Sequence, residues 1–418
     1  MFYEKKSCRI CGNKGLIPYL DMGNTPLANS LIVRSSEINN EKYFPLVVVY
    51  CPTCSLSQLS IVVEPSILYN HYIYHSSISK TFHEHCKQLA EYISSIILKG
   101  KIGFCVDIAS NDGCLLTKFK NLSHKVLGIE PAKNLAKLSI STGIDTYNDF
   151  WNKKTAEKIL QSYSHADIIT STNVFAHVDN LHEFLEGINI LLSEDGAFII
   201  EVPYMSELIK KNEFDTIYHE HLSYFLIKTL KILFEKHNLK ILDIQKLPIH
   251  GGTIRVITVK YSNNNLSINK KGIDKFLNEE DNNGMYDIHT YKNLDIYAKK
   301  IKSEIFSLIT NIKRQNKRIS CYGASAKGIT LLNYCKINYR MIDYIIDDTP
   351  QKQNCFAPGS HIPICSLKKL LESPPDYLLI LAWNFAEEIM SKTKFYQNNG
   401  GKYIIPIPEV RLYEYSSK

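Results

Sequence analysis

The chain has 418 residues, 44% of them apolar and 22% charged, a balance that excludes disorder as its default state and calls for two or three domains. Its formal net charge of +7 comes from Lys and Arg scattered along the whole length, without the dense basic block of a nucleic-acid surface, so it implies a mild preference for anions and no nucleic-acid partner. Residues 1–13 hold no apolar core of a signal peptide and no run of about 18 apolar residues occurs, which predicts a soluble cytoplasmic protein without a membrane partner.

Three sections follow one another. In the first, residues 1–68, Cys8-Arg9-Ile10-Cys11-Gly12 and Cys51-Pro52-Thr53-Cys54 are two tight knuckles. Each turns two thiolates toward one point, and four thiolates make a closed tetrahedral Zn2+ site that folds a domain without doing chemistry. Without an export signal, metal ligation is a better reading of the paired cysteines than disulfides.

The second section, residues 69–262, alternates strands with helical stretches. Gly103–Ile108, Val126–Ile129, Ala166–Ile169 and Gly196–Ile200 are apolar runs of strand length, and their alternation with helices predicts a parallel sheet covered on both faces. Ligands of such sheets lie at the carboxyl ends of the strands. After the first strand stands Asp107-Ile108-Ala109-Ser110-Asn111-Asp112-Gly113, whose small residues let a ligand approach the backbone; it lacks the G-x-G-x-x-G of a dinucleotide site. Glu130 ends the second strand about 20 residues further on, where a carboxylate can accept from both hydroxyls of an adenosyl ribose. An early Asp loop paired with this Glu favours S-adenosylmethionine over NAD.

The third section, residues 263–418, opens with an Asn-rich stretch and a long helical pattern ending near Gln315. Strand-length runs at Ile342–Ile346, Tyr377–Ala382 and Tyr403–Ile407 then follow the strand and turn Arg318 to Gly328, which predicts a second, smaller Rossmann-like unit. The predicted fold class is therefore α/β, with a small zinc-binding domain, a central class I methyltransferase domain and a C-terminal Rossmann-like domain.

The motifs Val106 to Gly113, Gly128-Ile129-Glu130-Pro131, Asn173-Val174-Phe175-Ala176-His177-Val178, Glu201-Val202-Pro203-Tyr204 and Phe214 to Phe225 resemble those of the S-adenosylmethionine-dependent nucleotide-sugar C-methyltransferases, the deoxysugar 3-C-methyltransferases with an N-terminal zinc-binding domain. The two cysteine pairs and the turn Gly323-Ala324-Ser325-Ala326-Lys327-Gly328 extend the resemblance over nearly the whole chain. It implies methyl transfer from S-adenosylmethionine to a carbon, carbon 3 in the usual case, of a nucleotide-linked 4-keto-6-deoxy sugar bearing dTDP, GDP or CDP, by a monomer.

The resemblance also assigns roles. His221 is the general base, Glu220 orients groups or binds substrate, Tyr218 donates near the reacting oxygen, and His177 polarises the ketone. Asp107, Ala109, Ser110, Asn111, Gly113, Glu130, Pro131, Asn173 and Phe175 form the cofactor site. Tyr72, Tyr74 and His75, with Gly323, Ala324, Ser325, Lys327 and Asp347, are expected to bind the substrate; Cys8, Cys11, Cys51 and Cys54 hold the zinc. Two positions depart from the family: Ala109 replaces a glycine, which requires negative φ there, and His75 replaces an aromatic residue. The chemistry agrees with the residue types, since a C–H bond becomes acidic beside a ketone and a histidine base titrates near neutral pH. Against this stand methylation of oxygen or nitrogen on a nucleotide sugar, and an RNA-modifying zinc enzyme. His-x-His as a metal pair is disfavoured because no further ligand is spaced nearby, and Tyr224 reads equally well as a core aromatic.

Overall fold

The structure is a computed structural model that describes residues 1–69, 76–78, 80–249, 251–267 and 269–414. The expected substrate residues Tyr72, Tyr74 and His75 lie outside the described residues.

The zinc section folds around an antiparallel sheet of Ile17–Pro26, Tyr43–Tyr50 and Ser57–Leu59. Its fourth strand, Ser223–Tyr224, comes from the central section and pairs with Ser57 and Gln58. The small sheet is thus completed by residues that directly follow the expected base.

The central sheet has seven strands. Across it run Leu239–Leu247, Thr253–Lys260, Leu192–Pro203, Ala166–Thr172, Phe104–Ile108, Lys125–Ile129 and Thr146–Tyr147. Thr253–Lys260 is antiparallel to both of its neighbours, an addition to the parallel order read from the sequence. Because successive side chains of a strand point to opposite faces, each continuous apolar run feeds two cores. Cys105, Ile168 and Ile199 pack beneath the helices Lys80–Tyr92 and Cys114–Asn121, while Val106, Ile169 and Ile200 join Phe184, Leu230 and Phe234 on the other face.

The C-terminal sheet of six strands runs Ile364–Cys365, Ile345–Ile346, Ile319–Tyr322, Tyr377–Ile380, Lys402–Ile405 and Arg411–Tyr413, the last antiparallel to its neighbour. The helix Ile288–Arg314 buries Tyr291, Leu294, Ala298, Ile301, Ile305, Ile309 and Ile312, a stripe at three- and four-residue spacing. Tyr291 packs 5.3 Å from the Tyr19 ring and 4.9 Å from the Tyr50 ring, so this helix ties the C-terminal section to the zinc section. No helix among the described residues is long and apolar enough to cross a membrane. Between the three sections opens one cleft of about 1600 Å³, reached by side chains from all of them.

Candidate active site

The cofactor end of the cleft is the strand-loop-helix from Phe104–Ile108 to Cys114–Asn121. Gly113 sits at φ +80°, and a Cβ there would lie 2.7 Å from the Ser139 hydroxyl, so both the backbone sign and the close packing demand glycine. Ala109 corrects the sequence reading: its φ is +54°, not negative, as is that of Asn111. An alanine in this left-handed region carries a strain of about 1 kcal/mol, held by a loop pinned at both ends, with Ser110 N–H on Ile129 O at 3.1 Å and Gly113 N–H on Ser110 O at 3.0 Å.

Asp107 and Glu130 both face this end. Burial pushes each carboxyl up to about 7, against the opposing hydrogen bonds of Thr170 to Asp107 and of Ala132 and Asn111 to Glu130. The Asn111 and Ala132 N–H groups donate to the two Glu130 oxygens at 2.8 and 2.7 Å. Two buried carboxylates with no cation beside them among the described residues, where the Ser110 hydroxyl and one Asp112 oxygen also find no partner, suit a ligand that brings positive charge and hydroxyl donors. S-adenosylmethionine, a sulfonium with an ammonium and a ribose, has that chemistry.

The Tyr-His-Glu-His motif, residues 218–221, lies across the cleft. His221 Nδ1 is 2.8 Å from the Thr216 carbonyl, which has no proton to give, so the hydrogen is on Nδ1 and Nε2 carries the lone pair. The Tyr218 hydroxyl donates to that Nε2 at 2.8 Å. The His177 ring stands 5.1 Å from the His221 ring, and burial pushes its pKa down to about 4, so it is neutral at pH 7 and can act as a hydrogen-bond donor. Asn29 Nδ2 donates to Glu220 Oε1 at 2.7 Å, and Tyr69 Oη lies 3.3 Å from His177 Nδ1. His219 turns away, with Nε2 on the Pro45 carbonyl and its ring edge on Phe44. Tyr224 is a core residue, 2% exposed.

The sulfur atoms of Cys8, Cys11, Cys51 and Cys54 all lie within 4.8 Å of one another. Bonds of about 2.3 Å from a tetrahedral zinc would set its ligands at such spacings. The Ile10 N–H points at Cys8 Sγ at 3.4 Å, and the knuckles close through Gly12 N–H on Cys8 O and Ser55 N–H on Cys51 O. Between the first two ligands, the buried Arg9 reaches Asp179 Oδ1 with Nε at 3.0 Å and the Leu59 carbonyl with a terminal nitrogen. Lys5 and Tyr3 meet the same carboxylate, two residues beyond His177.

With this geometry in view, the comparisons decide the family. Three domain families match in succession: a zinc binding domain over residues 8–69, a methyltransferase domain over 81–244 and the C-methyltransferase C-terminal domain over 248–408. The C-methyltransferase NovU of Streptomyces niveus is 35% identical over 405 residues, which cover 97% of this chain and 96% of that one. The chain belongs to the zinc-containing C-methyltransferases. S-adenosylmethionine is their methyl donor, and the four thiolates are the zinc site. Similar solved structures include magnesium protoporphyrin IX methyltransferase from Synechocystis PCC 6803 with bound SAH, at TM-score 0.34 and 9% identity over 43% of this chain and 83% of that one. The PH0226 protein from Pyrococcus horikoshii OT3 aligns at TM-score 0.35 and 11% identity, over 47% of this chain and 96% of its own.

Not every residue expected at the C-methyltransferase site reaches the cleft. Asp107, Ala109, Ser110, Asn111, Glu130, Pro131, Asn173, His177, Tyr218, Glu220, His221, Ala324, Ser325 and Lys327 line it. Phe175 does not; it is fully buried among Phe184, Phe198, Phe225 and Phe234, where four rings leave it no path to a ligand. Asp347 lies behind the C-terminal turn, where its oxygens accept from the Ala324 and Thr349 N–H groups at 2.8 and 2.9 Å. Gly323 serves the turn itself: its φ is +96° and a Cβ would lie 2.6 Å from that of Ala382. The Ser325 hydroxyl caps the helix Ala326–Tyr334 by accepting from Gly328 N–H, and Lys327 pairs with Glu213 Oε2 at 3.3 Å.

Asn29, Tyr69, Asp179, Glu213 and Trp383 also belong to the site's surroundings and were missed in the sequence. Trp383 had a signal, since it follows a strand at its carboxyl end, the place inspected elsewhere. Asn29 and Asp179 had none, because their partners are distant in the chain.

Proposed function

We propose that this C-methyltransferase methylates a carbon, the one next to the ketone, of a nucleotide-linked 4-keto-6-deoxy sugar. The observation that carries the reading is the His221 imidazole, which lines the cleft with its lone pair on Nε2 and a neutral histidine 5.1 Å away. The sugar lies between His221 and the cofactor loop, and its nucleotide extends toward Ala324 to Lys327. S-adenosylmethionine, held by Asp107, Glu130 and the loop from Ala109 to Gly113, supplies an electrophilic methyl group.

His221 Nε2 takes the proton from the carbon beside the ketone, with the positive charge of the resulting imidazolium shared through Nδ1–H and the Thr216 carbonyl. Tyr218 leaves Nε2 as substrate enters and turns its hydroxyl to the ketone oxygen. The neutral His177 is a second donor to that oxygen, stronger for the developing enolate than for the ketone. Glu220, held by Asn29, accepts from a sugar hydroxyl. Methylation of a sugar oxygen would need no such pairing of base and oxygen donors around one carbonyl.

The test is a panel of purified 4-keto-6-deoxy sugar nucleotides bearing dTDP, GDP or CDP, incubated with isotope-labelled S-adenosylmethionine and followed by mass measurement of the product. In deuterium oxide without cofactor, the enzyme is expected to exchange the hydrogen beside the ketone of the accepted sugar. Methyl transfer to oxygen, with no exchange at carbon, would replace the proposal by the oxygen-directed reaction.

A further inference from the structure

Two side chains of the C-terminal sheet reach across the cleft and end on one short turn of the central section. Trp383 follows the strand Tyr377–Ile380, and its indole Nε1 donates to Asp215 Oδ2 at 2.7 Å. Lys327 follows the strand Ile319–Tyr322; it pairs with Glu213, and its ammonium lies 5.2 Å from the centre of the Trp383 ring. The acceptors are the residue before, and the second residue of, the 3-10 turn Phe214–Thr216.

That turn ends on the carbonyl that holds the base. Thr216 N–H donates to Glu213 O at 3.1 Å, and the fully buried Asp215 carboxylate takes the indole N–H on Oδ2 while its Oδ1 has no hydrogen-bond partner among the described residues. The Thr216 carbonyl, one peptide further on, then accepts from His221 Nδ1 at 2.8 Å. Were the carbonyl to swing away, the imidazole could exchange its hydrogen between the two nitrogens, and the tautomer with Nε2–H has no lone pair to offer toward the cleft. Burial adds to the dependence: a carboxylate out of water needs its donors, so losing the indole N–H would make Asp215 seek others and drag the turn with it.

We infer that Trp383 is a positioning residue for the base, fixing through Asp215 the Thr216 carbonyl and hence the tautomer and ring angle of His221. The C-terminal sheet is then part of the base's scaffold as well as a platform for substrate. Since Trp383 and Lys327 themselves line the cleft, whatever rests on the C-terminal turn bears on the same clamp. That His221 acts as a base rests on the function proposed above; that its tautomer is set by Trp383 does not.

The experiment uses the full-length, zinc-loaded chain with nitrogen-15 histidine, without cofactor or sugar. Two-bond nitrogen–hydrogen correlation spectra read the state of each imidazole, and His221 is assigned by its absence in His221→Gln. The wild-type protein is expected to give a protonated Nδ1 and an unprotonated Nε2. In Trp383→Phe, which deletes the indole N–H and keeps an aromatic ring, the two nitrogen signals are expected to move toward one another as the tautomers mix. With an accepted sugar nucleotide, kcat is expected to fall about 10- to 100-fold, the usual effect of losing a partner that orients a histidine, while calorimetry gives an unchanged Kd for S-adenosylmethionine. Asp215→Asn, almost the same shape, is read in the same way and covers a failure of the tryptophan variant to fold. If neither variant's His221 nitrogens depart from the wild-type pattern, the inference is overturned whatever the rates. Because the spectrum needs no substrate, failure to methylate any keto sugar would count against the proposed function alone.

Discussion

The central and C-terminal sheets share one architecture, a parallel core with a loop and helix N-terminus at the carboxyl end of its strands, yet they spend their acids differently. At the central sheet, Asp107 and Glu130 face the cleft with no cation beside them among the described residues, and burial pushes both carboxyls up to about 7. At the C-terminal sheet, the equivalent acid Asp347 accepts two backbone N–H groups, as Glu130 does, but is also paired with Lys352 at 3.6 Å, and Lys327 is paired with Glu213. One loop leaves its acids without a cation among the described residues, and the other neutralises its acid with a lysine. The comparison teaches that architecture places loops, whereas function follows from which polar groups the fold leaves unsatisfied.

The sharpest way to break this contrast is at the central site. His221→Asn is expected to lower kcat about 10³-fold, within the usual range for general-base loss, and to abolish exchange of deuterium beside the ketone, with cofactor Kd unchanged by calorimetry. Full activity in this variant would remove the imidazole from the reaction.

The zinc section is the next lever, because its first knuckle reaches the His177 loop through Arg9 and Asp179. Replacing the fully buried Arg9 by Met is expected to cost about 3 kcal/mol of unfolding free energy in urea, as for other broken buried pairs. It should also lower kcat although Arg9 touches no ligand. Unaltered stability would make the pair ornamental.

Cofactor affinity should carry the signature of the raised carboxyls. Asp107 and Glu130 have folded-state values near 7, above their ordinary values, and the cofactor favours their ionised forms. The Kd of S-adenosylmethionine is therefore expected to be lowest above pH 7 and to weaken as pH falls below it, by up to about tenfold per unit for each carboxyl. Glu130→Gln should flatten part of that slope in calorimetric titrations from pH 5 to 8. At the C-terminal loop, by contrast, Asp347→Ala should cost about 2 kcal/mol of stability through two orphaned N–H groups, raise KM for the sugar nucleotide through the loosened Ala324 turn and leave the cofactor Kd unchanged.

The smallest effect concerns Ala109. Relief of its positive φ by Ala109→Gly is expected to raise unfolding free energy by about 0.5 kcal/mol, strain lost less backbone entropy gained by the unfolded chain. A lower melting temperature would show that packing of the methyl group outweighs the strain.

Much of this site was legible in the residues alone, for a physical reason. A Cys-x-x-Cys knuckle brings its atoms together through bonds only a few residues long, so spacing pointed to the zinc site; the Asp107 loop needed Glu130 beside it, and His221 as candidate base came from the family resemblance. Sign of φ was less secure: Ala109 adopts a conformation its side chain disfavours, because hydrogen bonds at Ser110 and Gly113 fix the loop around it. Phe175 stands in a motif beside the cleft-lining Asn173 but points into the core, since only the packed sheet decides which way a residue of a short turn faces.

What the tertiary structure alone decided are the pairs that no periodicity announces. Asn29 meets Glu220 across 191 positions of chain, Arg9 meets Asp179 across 170, and Trp383 meets Asp215 across 168. Such contacts exist because the three sections, sharing a sheet and a core, close on one cleft; the burial this creates sets the charge of His177 and the readiness of Asp107 and Glu130, and the Thr216 carbonyl it places sets the tautomer of His221. The sequence by itself determined which chemical groups the protein owns; the docking of its layers determined which of them face one another without water.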